Sequence, residues 1–302
     1  RRLGTRPAAT AAALAYFAWP AFALSAGIPQ KESLTLMFAM LMLRGTAVWL
    51  QEDWRRASRW RHGLWLGVWW ALLSLTQPSL AVAPAAIALV LAWQKGLAPV
   101  VRLGLTTLPT LLLVLAPWWL RNWLLFGAFV PFTTASGMMT NSALGELTVP
   151  FPEGLFDLPE HERSAVMGKL ARETIRENPL GFLRQTLQSM AIGFAYEEAP
   201  LARFRHTTPP ISPLDHARLA SLLQGAYVAL LLSAMAGAWR QFRKQALDPV
   251  TLYAFALLVV IGSINIWFEF GERPRLVLTP FLLLIAAGFW VRRRRSAGEL
   301  RG

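Results

Sequence analysis

Three short clusters in this chain place charged and amide side chains where they could do chemistry. The first, Gln30-Lys31-Glu32-Ser33, sets a carboxylate beside a cation. An acid in such a turn can hold a divalent cation or orient the head group of a substrate. The second runs Pro117-Trp118-Trp119-Leu120-Arg121-Asn122, ahead of Phe126-Gly127, Ser136-Gly137 and Asn141. The third, Glu269-Phe270-Gly271-Glu272-Arg273-Pro274-Arg275, adds two guanidinium groups and two acids. Guanidinium pairs bidentately with phosphate oxygens, so Arg121, Arg273 and Arg275 are the candidate phosphate contacts. Glu32 is the candidate acid or cation ligand, and Lys31, Gln77, Asn122, Asn141 and Glu272 are candidate cavity-lining residues. Each cluster also reads as a hydrated turn, with Ser33 capping a helix, Glu32 favouring its N-terminal dipole and Arg121 snorkelling.

Other chemistries lack their residues. The sequence has no cysteine, which removes thiolate metal sites and nucleophiles, and it has no phosphate-binding loop, dinucleotide fingerprint, HExxH spacing or nucleophile elbow. Its four histidines, His62, His161, His206 and His216, are scattered and read as surface residues.

The elements that must position these clusters are apolar. Of 302 residues 55% are hydrophobic and 16% charged, against about 25% charged in ordinary soluble domains. Mean hydropathy is +0.39. Apolar runs at 8–27, 33–50, 63–76, 79–93, 99–119, 217–239, 249–268 and 276–291 predict an all-α polytopic membrane protein of about eight membrane segments. That composition excludes a conventional soluble enzyme and a disordered chain.

Charge sets the orientation. If the chain crosses at every run, 17 basic residues and four acids fall on one side, which therefore carries the whole formal charge of +13. By the positive-inside rule that side is cytoplasmic and both termini lie there. Attraction to anionic head groups accounts for the basic balance, and no nucleic-acid partner is expected. Tryptophans at run ends, such as Trp49, Trp60, Trp118 and Trp239, read as interfacial anchors.

Two features interrupt the pattern. Runs 63–76 and 79–93 are too short to span a core of about 30 Å and are separated by Gln77-Pro78, predicting a broken pair that turns inside the membrane layer. The stretch 121–216 is predicted to be an extracytoplasmic helical loop domain, with amphipathic helices over Leu158–Asn178, through Val166, Leu170 and Ile175, and over Phe182–Phe194. Pro179 and Gly181 punctuate between them. Three parts follow: membrane helices in 1–120, the outer domain in 121–216, and membrane helices with a basic cytoplasmic tail in 217–302.

At the polar clusters the chain resembles bacterial GT-C class glycosyltransferases, the membrane enzymes akin to protein O-mannosyltransferases and the lipid A aminoarabinose transferase. The matching pieces are Pro20 through Glu32-Ser33-Leu34, the Thr76-Gln77-Pro78 break, Pro117-Trp118 with Arg121-Asn122 and Phe126-Gly127, and Gly271-Glu272-Arg273 with Arg275 and Pro280. The resemblance implies a sugar taken from a polyprenyl-phosphate carrier in the bacterial cytoplasmic membrane and passed to an extracytoplasmic acceptor: lipid, glycan or protein. It implies no certain cofactor, a divalent cation being one option. The family's leading acid, usually an aspartate in the first outer loop, is expected to precede Arg1 in an N-terminal portion absent from this sequence, which leaves Glu32 as the catalytic candidate here. Gln77 stands where many relatives have arginine. A transporter or flippase of lipid-linked intermediates, and a non-catalytic membrane assembly protein, remain the alternatives.

Overall fold

The computed structural model describes residues 6–19, 31–51, 59–82, 96–195, 212–243 and 278–290, with isolated positions between them. Among these residues every regular element is helical. The α-helices are α1 (Arg6–Phe17), α2 (Glu32–Gln51), α3 (Arg59–Thr76), α4 (Leu97–Phe126), α5 (Ser136–Ala143), α6 (Glu160–Glu177), α7 (Pro179–Ala195), α8 (Pro213–Arg243) and α9 (Leu278–Trp290). The predicted all-α class is observed.

Two of the helices, α4 and α8, are long and apolar enough to cross a membrane. At 1.5 Å per residue they reach about 45 Å. Only 17% and 22% of their most apolar 18-residue windows is buried, so Leu105, Leu112, Leu113, Leu120 and Leu124 of α4 and Leu222, Leu232 and Met235 of α8 face outward. Ser33–Thr46 within α2 and all of α9 form shorter apolar helices. The predicted run 249–268 lies outside the described residues apart from Thr251.

Helical periodicity builds the larger core. Phe38, Ala39, Met42 and Leu43 of α2 meet Leu66 and Leu73 of α3, Tyr227, Leu230 and Ala234 of α8, and Phe281, Leu282 and Ile285 of α9. Three buried hydroxyls of α2 and α3 bond to carbonyls one turn back: Thr35 donates to the Lys31 carbonyl at 3.0 Å, Thr46 to Met42 at 2.7 Å and Ser74 to Trp70 at 2.8 Å. The helices can therefore face an apolar solvent without an orphaned hydroxyl at these positions.

Helix α3 packs on α4 through Gly63 and Gly67, spaced one turn apart. A methyl on Gly67 would run into the Thr107 carbonyl oxygen, and one on Gly63 into the Thr106 side chain. Small residues at that spacing let two backbones approach closely. The predicted break follows: α3 ends at Thr76, and Pro78–Val82 forms a 3-10 turn whose Leu80 is buried and whose Ala81 carbonyl accepts from Trp70 Nε1 at 2.8 Å. Beyond it, residues 84–85, 88–89 and 92–93 are helical.

The stretch predicted as an outer domain differs in three places. The run predicted to end at 119 continues as α4 to Phe126, so Arg121 and Asn122 lie on a helix rather than in a loop. Gly127 ends it at φ 63°, a conformation that glycine adopts without steric cost, and donates to the Trp123 carbonyl at 2.9 Å. Pro179 and Gly181, expected to punctuate between the helices, lie in the first turn of α7. Asn178 Oδ1 accepts from the Gly181 amide at 2.9 Å, and Pro179 takes the first helical position, where an amide hydrogen would go unused. Finally, α6 buries Ser164, Met167, Gly168 and Ala171, while Val166, Leu170 and Ile175 are half-buried. The reason is steric: α5 crosses so closely that a methyl on Gly137 would overlap the Ser164 carbonyl oxygen and the Gly168 amide. Leu144, Ala171 and Phe182 then join α5, α6 and α7 in a small second core.

Candidate functional site

A groove of about 570 Å³ lies along the α5–α6 crossing. One wall is α6, which presents His161, Ser164, Ala165, Gly168 and Arg172 at helical spacing i, i+3, i+4, i+7 and i+11. The other is the segment 128–134, with Gly137 and Thr140 of α5. That volume is in the range of small-molecule sites, which run from roughly 300 to 1,000 Å³.

The end of α4 fixes the loop wall. Trp119 Nε1 donates to the Pro131 carbonyl at 2.8 Å and Asn122 Nδ2 to the Val130 carbonyl at 3.3 Å. These donors, one turn apart on the helix, clamp successive loop carbonyls. Phe132 packs with Trp119 against Ala71, Leu111 and Leu115, anchoring the loop on both α3 and α4. Across the groove the Gly137 amide donates to Ser164 Oγ at 2.8 Å, and Thr134 Oγ1 donates to the Glu160 carboxylate. Asn141 completes the frame. It donates through Nδ2 to the Val149 carbonyl at 3.0 Å and accepts from the Val149 amide at 2.9 Å, as a paired strand would.

His161 joins the groove to the helix end. Its ring centroid lies 5.4 Å from that of Phe126, the last residue of α4. Its Nδ1 is buried without a hydrogen-bond partner among the described residues, and its Nε2 stands 3.9 Å from Glu162. It is thus an element of the groove rather than the plain surface residue expected from its isolation in the sequence. Shut off from solvent, that nitrogen reaches a ligand in the groove only if the ring turns.

The sequence-selected residues are distributed as follows. Arg121 is exposed near the end of α4, its guanidinium carbon 5.5 Å from the Trp118 ring centroid and its Nη1 donating to Asn122 Oδ1 at 2.9 Å. Asn122 and Asn141, expected to line a cavity, are instead 1% exposed with both amide ends engaged, and they serve the loop backbone. Gln77 occupies the break after α3, half-buried, and donates to Ser79 Oγ at 2.8 Å. Lys31 is exposed, and its carbonyl accepts the Thr35 amide at 2.9 Å. Glu32 opens α2, but its side chain lies outside the described residues, as do Glu272, Arg273 and Arg275. Among the described residues no three His, Asp or Glu side chains gather as a metal site requires.

Sequence reasoning missed the groove residues Phe129, His161 and Arg172. The signal was the common face of His161, Ser164, Gly168 and Arg172, overlooked because the apolar Val166, Leu170 and Ile175 set the face instead. It also passed over Arg44, an exposed cation inside the apolar helix α2. Comparison with family models, with curated proteins and with solved structures finds no match to the chain. Among the described residues the chain is all-helical, with two helices long and apolar enough to cross a membrane and, at the end of one of them, a groove that sets a few polar groups in a mainly apolar lining.

Proposed function

We propose that the chain is a membrane-embedded glycosyltransferase that moves a sugar from a polyprenyl-phosphate donor to an acceptor on the outer face of the bacterial cytoplasmic membrane. The observation that carries this reading is the position of the groove: its walls are fastened by Trp119, Asn122 and Phe126 to the last turns of an apolar helix of 30 residues. A ligand held there has its head group beside protein hydrogen-bonding groups while a hydrocarbon tail can run along outward-facing leucines of α4. That is the geometry a lipid-linked substrate needs. The motif resemblance and the one-sided charge support it, with eight crossings, both termini cytoplasmic and 121–216 outside.

In this reading Arg121, with Arg273 and Arg275, compensates the donor phosphate. Stacking on Trp118 and the bond to Asn122 orient the Arg121 guanidinium. The acceptor oxygen bonds to the anomeric carbon as the bond from that carbon to the phosphate oxygen breaks. The electron pair leaves with the phosphate, a carboxylate takes the acceptor proton, and direct attack inverts the configuration. Glu32 is the acid assigned here, as base or as ligand of a divalent cation, with Lys31, Gln77 and Glu272 around the same outer cavity.

The test uses protein purified in nanodiscs and a radiolabelled polyprenyl-phosphate sugar. Sugar release or transfer is expected, and Arg121→Lys should lower donor binding about ten- to a hundredfold, the loss of one charge-assisted fork. Absence of both binding and turnover overturns the reading. The break at Gln77 favours one other function, a flippase, since broken helices line transport pathways. Movement of labelled donor across proteoliposomes without sugar transfer would select it.

A further inference from the structure

The α5–α6 groove has a lining that donor chemistry leaves unused. Phe129 is 59% exposed and forms part of the wall, held tilted against Trp119 with ring centroids 5.5 Å apart and planes at 57°. An aromatic face fixed in this way can cover the apolar face of a sugar ring. Thr133, Thr134 and Thr140 bring hydroxyls, and His161 adds its ring to the lining. A few placed polar groups beside an apolar wall are how small-molecule sites fix orientation.

Charge narrows the ligand. Arg172 lines the groove, no carboxylate does among the described lining residues, and the nearby Glu160 accepts a hydrogen bond from Thr134. The Arg172 guanidinium reaches back over Gly168, where an added methyl would meet Nη1 at 3.3 Å, and it has no ion pair with a described residue. Gly168 thus keeps the floor low enough for the arginine to lie along it. A groove cation with no ion-pair partner among the described residues favours an anion, and guanidinium matches carboxylate and phosphate alike.

We propose that this groove binds an anionic saccharide, a sugar ring bearing a carboxylate or a phosphate. Arg172 pairs with the acid, Phe129 covers the ring's apolar face, and the threonines bond its hydroxyls. As the acceptor subsite of a transferase the groove rests on the function proposed above. As a binding site it does not.

The experiment measures binding to the full chain in nanodiscs by saturation-transfer NMR, with four probes: methyl glucuronoside, glucose 6-phosphate, methyl glucoside and inorganic phosphate. One or both acidic sugars are expected to bind about tenfold more tightly than the neutral glycoside or phosphate alone, the effect of one charge-assisted contact. Which acidic sugar binds better identifies the acid. Arg172→Gln should erase that preference, Arg172→Lys should retain part of it, and Phe129→Ala should weaken acidic and neutral sugars by a similar factor. Exposed Arg176→Gln should change nothing. Equal binding of acidic and neutral sugars, phosphate binding as tightly as any sugar, an unchanged preference in Arg172→Gln, or no sugar binding at all would each overturn the proposal. Acidic-sugar binding without donor turnover removes the transferase and leaves the groove, whereas turnover without such binding removes the groove alone.

Discussion

Two helix crossings in this protein use one packing device and differ in everything outside it. At α3–α4, Gly63 and Gly67 let α3 touch the backbone of α4; at α5–α6, Gly137 seats against Ser164 and Gly168. Each partner helix buries a narrow stripe, Thr107, Leu111, Leu115 and Asn122 on α4 and Ser164, Met167, Gly168 and Ala171 on α6. The outward faces have nothing in common. That of α4 is leucine, with Leu105, Leu113 and Leu124 each at least 70% exposed, while that of α6 carries Glu162, Lys169, Arg172, Glu173 and Arg176. Packing contacts therefore do not reveal a helix's solvent, and the uncovered face does.

Charge on the two outer faces separates them most sharply. Leu113→Lys, near the middle of α4, should cost about 2.5–3.5 kcal/mol of membrane insertion, whereas Lys169→Leu on α6 should stay within about 0.5 kcal/mol. Insertion can be scored by labelling single introduced cysteines, since the native chain has none. Equal tolerance at both sites would mean that α4 does not face lipid.

Next in size are the crossings themselves. Gly67→Ala and Gly137→Ala each force a methyl against backbone atoms, which cannot move as a flexible side chain would. Each should cost about 1–3 kcal/mol in thermal unfolding in detergent. The location of the damage should differ, with Gly137→Ala opening a cysteine placed at Ser164 to labelling and Gly67→Ala leaving it protected.

Asn122→Ala tests whether the first crossing supports the second. It removes a buried amide that bonds Val130 and Arg121, at about 1–2 kcal/mol. The cost should fall on the groove wall: reactivity of a cysteine at Thr133 should rise, while one at Leu73, in the apolar core, stays unreactive. The smallest effect should come from Asn178→Ala, which deletes the α7 cap for about 1 kcal/mol and leaves the α3–α4 crossing unchanged.

Legibility followed the range of the interactions. Local ones could be read: the break at Gln77, the helix in Leu158–Asn178 and the apolar stretches that became α2, α4 and α8. Where the reading slipped, it slipped by one or two turns. Arg121 and Asn122 were assigned to a loop because hydrophobicity falls at Arg121, yet the 3.6-residue ladder continues to Gly127, whose backbone stops it. Pro179 reads as a break and Asn178 as the end of the preceding helix, although both suit a helix N-terminus, where the structure uses them.

The sequence by itself determined the helical class, the apolar stretches that form the outward faces of α4 and α8, and the residues at several helix ends, because each depends on a residue and neighbours within about a turn. It did not determine which face of α6 is covered. That face depends on a glycine 27 residues earlier in the chain, whose amide bonds Ser164 and whose missing side chain admits the crossing. Nor did it place Phe129 opposite Arg172, since the loop between α4 and α5 is clamped by Trp119 and Asn122 through bonds spanning 12 and 8 residues. Tertiary structure alone decided the groove, because a site formed by two walls exists only once the contacts that set their separation have formed.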